Sequence, residues 1–473
     1  MNNVNRLARF TIKSTQPEPL PAAAAVNPEP EAPPPVVTHP DDTPLELMKI
    51  GEGYAPESPK DLENAGVDPQ VLIDLTLKLA LTLTKFTLAD ATHRLCLPPA
   101  IVNDILEQLR KDKFIEILGE NGKYEYRYTI TGFGQDRAQR LMDMSGYVGP
   151  APVNVESYRQ ALDFQLLKFP TITPQRVAEA VSDLVLSNHT VRAAGLAAAS
   201  ARSLFIWGPP GTGKTTIGHL LHNALDGDLW IPHCLALDTA MIRVYDPQIH
   251  RPQTGPLPSQ ALRKVDRRWV RVRRPFVVAG GELTVDQLEL SYSDSRRYYE
   301  APLHMKANGG IFLLDDLGYQ RSDPRTLLAR WIFPLERGLD FLTLQSGQKM
   351  QIPFKLMLII STNMNPEKLI DEAFLRRMGY RLFVGNPAEP EYREIFRRLA
   401  GKNGLDLPDT LLDALVARYQ SEARPLRACD PRDLIERIRD VARYERRPFE
   451  LTSDNLDIAW RGFFGERATH VEG

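Results

Sequence analysis

Residues 208–216 read GPPGTGKTT, and residue types at this spacing suit one task, holding a chain of phosphate groups. Gly208, Gly211 and Gly213, with Pro209, Pro210 and Thr212 between them, let the backbone curl until its N–H groups face phosphate oxygens. Lys214 brings a cation to the β and γ phosphates, and the Thr215 hydroxyl, next to Thr216, is a ligand for Mg²⁺. Such a metal needs an acidic partner. GGIFLLDDLG (309–318) offers one, with Asp315 assigned to the metal through water and Asp316 to orienting an attacking water. A third polar tip closes LMLIISTN (356–363), where Thr362 and Asn363 are placed to sense a γ-phosphate.

These groups must be set by elements of definite type. SLFIW (203–207) is a short apolar run of strand length, and IGHLLHNAL after the glycines has helical spacing. Strand, glycine-rich loop and helix follow in the order a P-loop requires, with the positive end of the helix dipole aimed at the ligand. Beyond the third strand come DEAFLRRMGYRLFV (371–384), the helical EYREIFRRLAGK, and RACDPRDLIERIRDVARY (427–444).

Over about 171–465 this succession resembles the AAA+ ATPases. GPPGTGKT is similar to their Walker A motif, LLDD to Walker B and STN to sensor 1. The resemblance implies that FLRRM carries the arginine finger, as Arg376 and Arg377, and that DPRDL carries sensor 2, as Arg432 over the nucleotide. It also implies an α/β fold, a P-loop parallel sheet flanked by helices, over 171–386, with a C-terminal helical lid over 387–465. ATP and Mg²⁺ would be the cofactors and ATP hydrolysis the reaction. A homo-oligomeric ring, a hexamer, would let the finger arginines serve a neighbour's nucleotide. The chain departs from the family in ending Walker B with Asp-Asp where Asp-Glu is usual. Aspartate is one methylene shorter, and positioning losses of about 1 Å are costly, so slow, switch-like turnover is expected. The DDLG form resembles bacterial replication initiators and helicase loaders. A hairpin pattern, LDFLTLQSGQKMQIPF (339–354), resembles instead the MoxR-type remodelling branch.

The remaining chain has a different texture. Residues 17–44 hold ten of the 38 prolines, so 1–60 is expected to be a disordered Pro/Ala-rich tail, a linker or a docking peptide. Over 68–145, three helical patterns precede a hairpin signal at Asn121-Gly122 and alternating Tyr124, Tyr126 and Tyr128, and GQDRAQRLMDM follows. This order resembles a winged-helix α+β domain. Its reader helix would be 99–112, which offers Asn103, Asp104, Glu107 and Gln108, with Arg110 and Lys111 only at its end. Acidic groups facing phosphates repel them, so protein docking is expected ahead of DNA binding. Residues 146–170 read as a connector.

About 100 residues separate Lys214 from Asp315, and the surplus is placed at 239–300. Seven Lys/Arg fall between Arg263 and Arg274, and Arg271 and Arg273 alternate with Val270 and Val272. Either a solvated strand face or a basic surface lining a channel or gripping an acidic partner is expected there.

The composition bounds the rest. Net charge is −2 over 473 residues, which argues against wholesale polyanion binding. Cys96, Cys234 and Cys429 form no CxxC pair, so neither zinc nor a disulfide framework is expected and a reducing compartment is. No apolar run approaches the ~18 residues that cross a bilayer, and MNNVNRLARFTIKST has no apolar core after its basic residues. A cytoplasmic ATPase remodelling a protein client or adaptor is the expectation. The alternative is a DNA-directed loader or transcription regulator.

Overall fold

Five short runs form a parallel sheet, and we label its strands β1 (Leu204–Trp207), β2 (Phe276–Ala279), β3 (Ile311–Leu314), β4 (Met357–Thr362) and β5 (Tyr380–Phe383). Their order across the sheet is β2-β3-β4-β1-β5, parallel throughout. The strands are apolar almost without interruption because both faces are covered. Leu204 and Ile206 of β1 and Ile311 and Leu313 of β3 pack with Ile217 and Leu221 of the helix Lys214–Ala224. Phe205, Phe312 and Leu314 pack on the other side with Leu327 and Trp331 of the helix Pro324–Arg337. The fold is α/β, a parallel sheet between helical layers.

This computed structural model describes residues 45–50, 53–120, 126–167, 172–225, 227–253, 255 and 264–465. The Asn121-Gly122 turn, Tyr124, Arg263 and most of the tail lie outside the described residues.

Strand order decides where a ligand can sit. β1 lies between β4 and β5 although β2 follows it in sequence, so the winding reverses at β1. Open α/β sheets bind ligands beyond the carboxyl ends of their strands at such a reversal. The stretches after β1, β3 and β4 are the three with chemistry. Downstream, helices Glu389–Lys402, Asp409–Ser421, Asp430–Glu445 and Ser453–Phe464 enclose their own core, with Tyr392, Phe396, Tyr419, Leu434 and Trp460.

Upstream of the sheet, helices Pro69–Leu83, Leu88–Leu95, Pro99–Lys111 and Gly132–Met144 surround a three-stranded antiparallel sheet of residues 85–87, 126–130 and 115–120. Two sequence expectations change here. Leu47–Ile50 and Gly53–Pro56, assigned to the tail, pair as antiparallel strands; Tyr54 meets the Phe164 ring edge-on at 4.9 Å. Nor is 239–300 a single insertion. Its FVVA run is strand β2, the edge of the main sheet, disguised in sequence by the arginines before it. The added material is a separate five-stranded sheet, which combines 234–237 and 240–243 with 291–293, 298–300 and the connector's 153–154. The 339–354 pattern is a hairpin, Leu339–Thr343 with Lys349–Pro353.

Four arginines in this stretch make specific ties. Arg268 is buried, pairs with Asp266 at 2.7 Å, and donates to the carbonyls of Ala65 at 2.7 Å and Pro152 at 3.2 Å. It therefore ties the N-terminal region, the connector and the strand Trp269–Arg273 together. Arg271 pairs with Asp228, Arg273 donates to Asn223, and buried Arg274 donates to the Gly309 carbonyl at 2.7 Å. These four arginines make individual ties rather than one basic face. The N-terminal core itself includes Cys234, Ala236 and Met241 from the second sheet. Among the described residues no helix is long and apolar enough to cross a membrane.

Replacing Arg268 by leucine strands a fully buried Asp266 carboxylate, a loss of about 3–5 kcal/mol. Chemical denaturation of Arg268→Leu should show the first unfolding transition at distinctly lower denaturant than in the native chain.

Candidate functional site

The loop after β1 is shaped by three glycines in conformations closed to most residues, with φ of 151° at Gly208, 78° at Gly211 and 89° at Gly213. A Cβ at Gly208 would lie 2.0 Å from the Val384 carbonyl oxygen, and one at Gly211 would lie 2.4 Å from Cys429 Sγ. The first contact seats the loop against the residue after β5. The second seats it against the C-terminal helices, where Cys429 N also donates to the Gly211 carbonyl at 3.1 Å. Thr212 closes the turn by donating to the Pro209 carbonyl at 3.0 Å.

Lys214 opens the helix Lys214–Ala224, whose first residues have no side-chain cap. Those N–H groups are free to meet an anion. The Lys214 ammonium is buried and bends back on the loop, donating to the carbonyls of Pro209 at 2.7 Å and Gly208 at 3.1 Å. Burial lowers its pKa from the ordinary lysine value, while Asp316 and Asp315 oppose the shift.

The acidic pair sits across from this helix. Thr215 Oγ1 is 2.9 Å from each Asp315 carboxylate oxygen, so a hydroxyl and a carboxylate face one another where a hard cation would take oxygen ligands. Asp316 has φ 52°, in the left-handed region where Asp is several-fold enriched among non-glycine residues. That backbone gives a physical reason for aspartate here. Asn363 Nδ2 donates to Asp316 Oδ1 at 3.0 Å, which joins the tips of β3 and β4.

A cavity of about 640 Å³ lies beside these groups. Pro210 to Thr216 line it with Asp316, Asn363 and Arg432, and Asp183 to Leu186, Ile395 and Leu399 add a largely apolar wall. Arg432 reaches the cavity from the helix Asp430–Glu445, but its guanidinium rests on Asp433, at 2.9 Å. The sequence motifs did not mark the apolar wall. It is held in place where Arg398 donates to the carbonyls of Ser182 and Leu184, and where Lys402 pairs with Asp183 at 2.8 Å.

Arg376 and Arg377 do not line this cavity, and they differ from each other. Arg376 is 71% exposed and carries only a helix-surface pair with Glu372. Arg377 is held by Glu336 and by the Ala373 carbonyl. Two further residues missed in the sequence are Gln320 and Ser361. Gln320 Nε2 donates to the carbonyls of both Asp315 and Asp316 at 3.1 Å, and Ser361 bonds Asp315 and Asp316 from β4. Ser361 did have a signal, as a hydroxyl at the end of the apolar run MLII. Among the described residues, no group of three or more His, Cys, Asp or Glu is arranged to hold a metal.

The fold and the site together define an α/β protein with a glycine-rich loop at a sheet reversal, roofed by C-terminal helices. Residues 388–462 match the model of a domain of unknown function, DUF8689. Among solved structures, a point mutant of RuvB from Thermotoga maritima is 14% identical, with 62% of this chain and 73% of that chain covered and a TM-score of 0.34. NtrX from Brucella abortus in complex with ATP is 17% identical, with 57% of this chain and 54% of that chain covered and a TM-score of 0.36. No curated protein matches the chain.

Gly211→Ala should push Cys429 and the C-terminal helices away from the loop, whereas Gly213→Ala meets no atom within 4 Å and bears only backbone strain, about 1–2 kcal/mol. Titration with a fluorescent ATP analogue should therefore show the larger loss of affinity in Gly211→Ala, with both variants folded by circular dichroism.

Proposed function

We propose that the chain is an ATP-dependent AAA+ ATPase that remodels a protein partner. One observation carries this reading. Lys214, Thr215, Asp316 and Asn363, which follow three different strands, converge with Arg432 on a single cavity beside the glycine loop. Mg²⁺ suits the Thr215 and Asp315 oxygens. It keeps several waters and takes few protein carboxylates, and it would neutralise charge between the β and γ phosphates. Lys214 binds the same phosphates, Asp316 orients the attacking water, and Asn363 holds Asp316 in place. The apolar wall at Leu184, Val185, Leu186, Ile395 and Leu399 suits a nucleobase.

Arg376 and Arg377 serve as the arginine finger in this reading, and the burden falls on Arg376, whose guanidinium is exposed. It would act on a neighbour's nucleotide in a homo-oligomeric ring, a hexamer. Arg377 braces the segment through Glu336. The N-terminal helices with their three-stranded sheet serve as a winged-helix-like adaptor for a client, in a MoxR-like or helicase-loader-like arrangement. Exposed Asp104 and Glu107 on Pro99–Lys111 weigh against a DNA-directed role.

Steady-state ATP turnover and nucleotide binding, measured side by side, test this reading. Lys214→Ala should abolish binding, and Asp316→Asn should bind and not turn over. Arg376→Ala should bind normally and lose about 10³–10⁵ in rate, as for a finger supplied in trans. Mixing Arg376→Ala with Lys214→Ala chains should restore part of the activity. Native turnover by Asp316→Asn, or a fully active monomer, would contradict the reading.

A further inference from the structure

We propose that Ser361 is the positioning residue that fixes Asp315 for the metal and couples it to the turn bearing Asp316. The inference rests on the reading of the cavity as an Mg²⁺-nucleotide site, and it gives a role to the first residue of the STN run, where only Thr362 and Asn363 carried one.

Ser361 follows Met357–Ile360 on β4 and is completely buried. A hydroxyl at such a position must find partners, because an unsatisfied buried polar group costs about 1–3 kcal/mol. Its partners are specific. Ser361 Oγ donates to Asp315 Oδ1 and accepts from the Asp316 amide at 3.3 Å. The Ser361 carbonyl then accepts from the Leu317 amide at 2.8 Å. One residue of β4 therefore holds three consecutive residues at the end of β3.

Two hydroxyls now meet one carboxylate. Thr215 approaches both Asp315 oxygens from the phosphate side, and Ser361 approaches Oδ1 from inside the sheet. Thr215 is the group that a cation would recruit. Ser361 is enclosed by the protein and cannot reach a ligand, so its bond to Asp315 persists whether or not a cation is present. That bond fixes the carboxylate's rotation about its Cβ–Cγ axis and leaves Oδ2 directed by Thr215 alone. Partners of this kind, behind a metal ligand, change metal affinity by about 10–100-fold when removed. The same hydroxyl sets the Asp316 amide, so a disturbance at the metal carboxylate reaches the residue assigned to the water.

The test separates positioning from plain structural support by reading metal dependence in binding, without turnover. A fluorescent ATP analogue is titrated into the full chain with and without Mg²⁺. Ser361→Ala should keep the metal-free affinity within about twofold, while the Mg²⁺ concentration that half-maximally strengthens binding rises about 10–100-fold. Ser361→Thr, which keeps the hydroxyl, should restore the native Mg²⁺ response. The double variant Ser361→Ala with Asp315→Asn should respond like Asp315→Asn alone, a comparison that holds even if the threonine packs poorly. An unchanged Mg²⁺ response in Ser361→Ala, with the native chain responding normally, would overturn this proposal alone. Additive losses in the double variant would overturn it too. A native chain that binds the analogue with no response to Mg²⁺ would overturn both the proposal and the reading of the site beneath it.

Discussion

The Asp315 carboxylate is the point on which the site depends. It accepts from Thr215, which stands at the start of the helix after β1, and from Ser361, which stands on β4, while its own backbone ends β3. Three strands that are distant in sequence are therefore tied at their tips through one side chain. The sheet order makes this possible. β3, β4 and β1 are consecutive across the sheet, so their carboxyl ends lie side by side and short side chains suffice to bridge them.

The roof of the cavity is attached differently. The C-terminal helices enclose their own core; Cys429 meets the loop at Gly211, and Arg398 meets the carbonyls of Ser182 and Leu184 on the apolar wall. Burial pushes the Cys429 thiol up to about 11, with Asp430 and Asp433 adding to the shift, so it is a neutral packing group at ordinary pH. The N-terminal region is mounted far more firmly. Its core is continuous with the second sheet through Cys234, Ala236 and Met241, and Arg268 spans the junction.

How far the sequence was legible follows from how local each feature is. The glycine loop, the Asp pair and the polar end of β4 could be read because each is a contiguous run with its own turn chemistry. Strand β2 could not, since FVVA is four residues long and follows a run of arginines whose partners were invisible. Asp228, Asn223 and Gly309 claim Arg271, Arg273 and Arg274 only once the chain has folded. The apolar wall was hidden for the same reason, because Leu184 to Leu186 and Ile395 with Leu399 lie about 200 residues apart and carry no motif. Arg376 and Arg377 look equivalent in sequence. Glu336, on another helix, and the Ala373 carbonyl distinguish them once the chain has folded.

Photoaffinity labelling with 8-azido-ATP, followed by peptide mapping, locates the bound base, because the azide reports where the base lies. Cross-links should fall within residues 183–186 and 395–402, on the apolar wall, and be competed away by ATP with Mg²⁺. Cross-links concentrated instead on the separate cavity between Tyr147, His233, Arg243 and Tyr298, or labelling that ATP does not compete, would contradict this placement of the base.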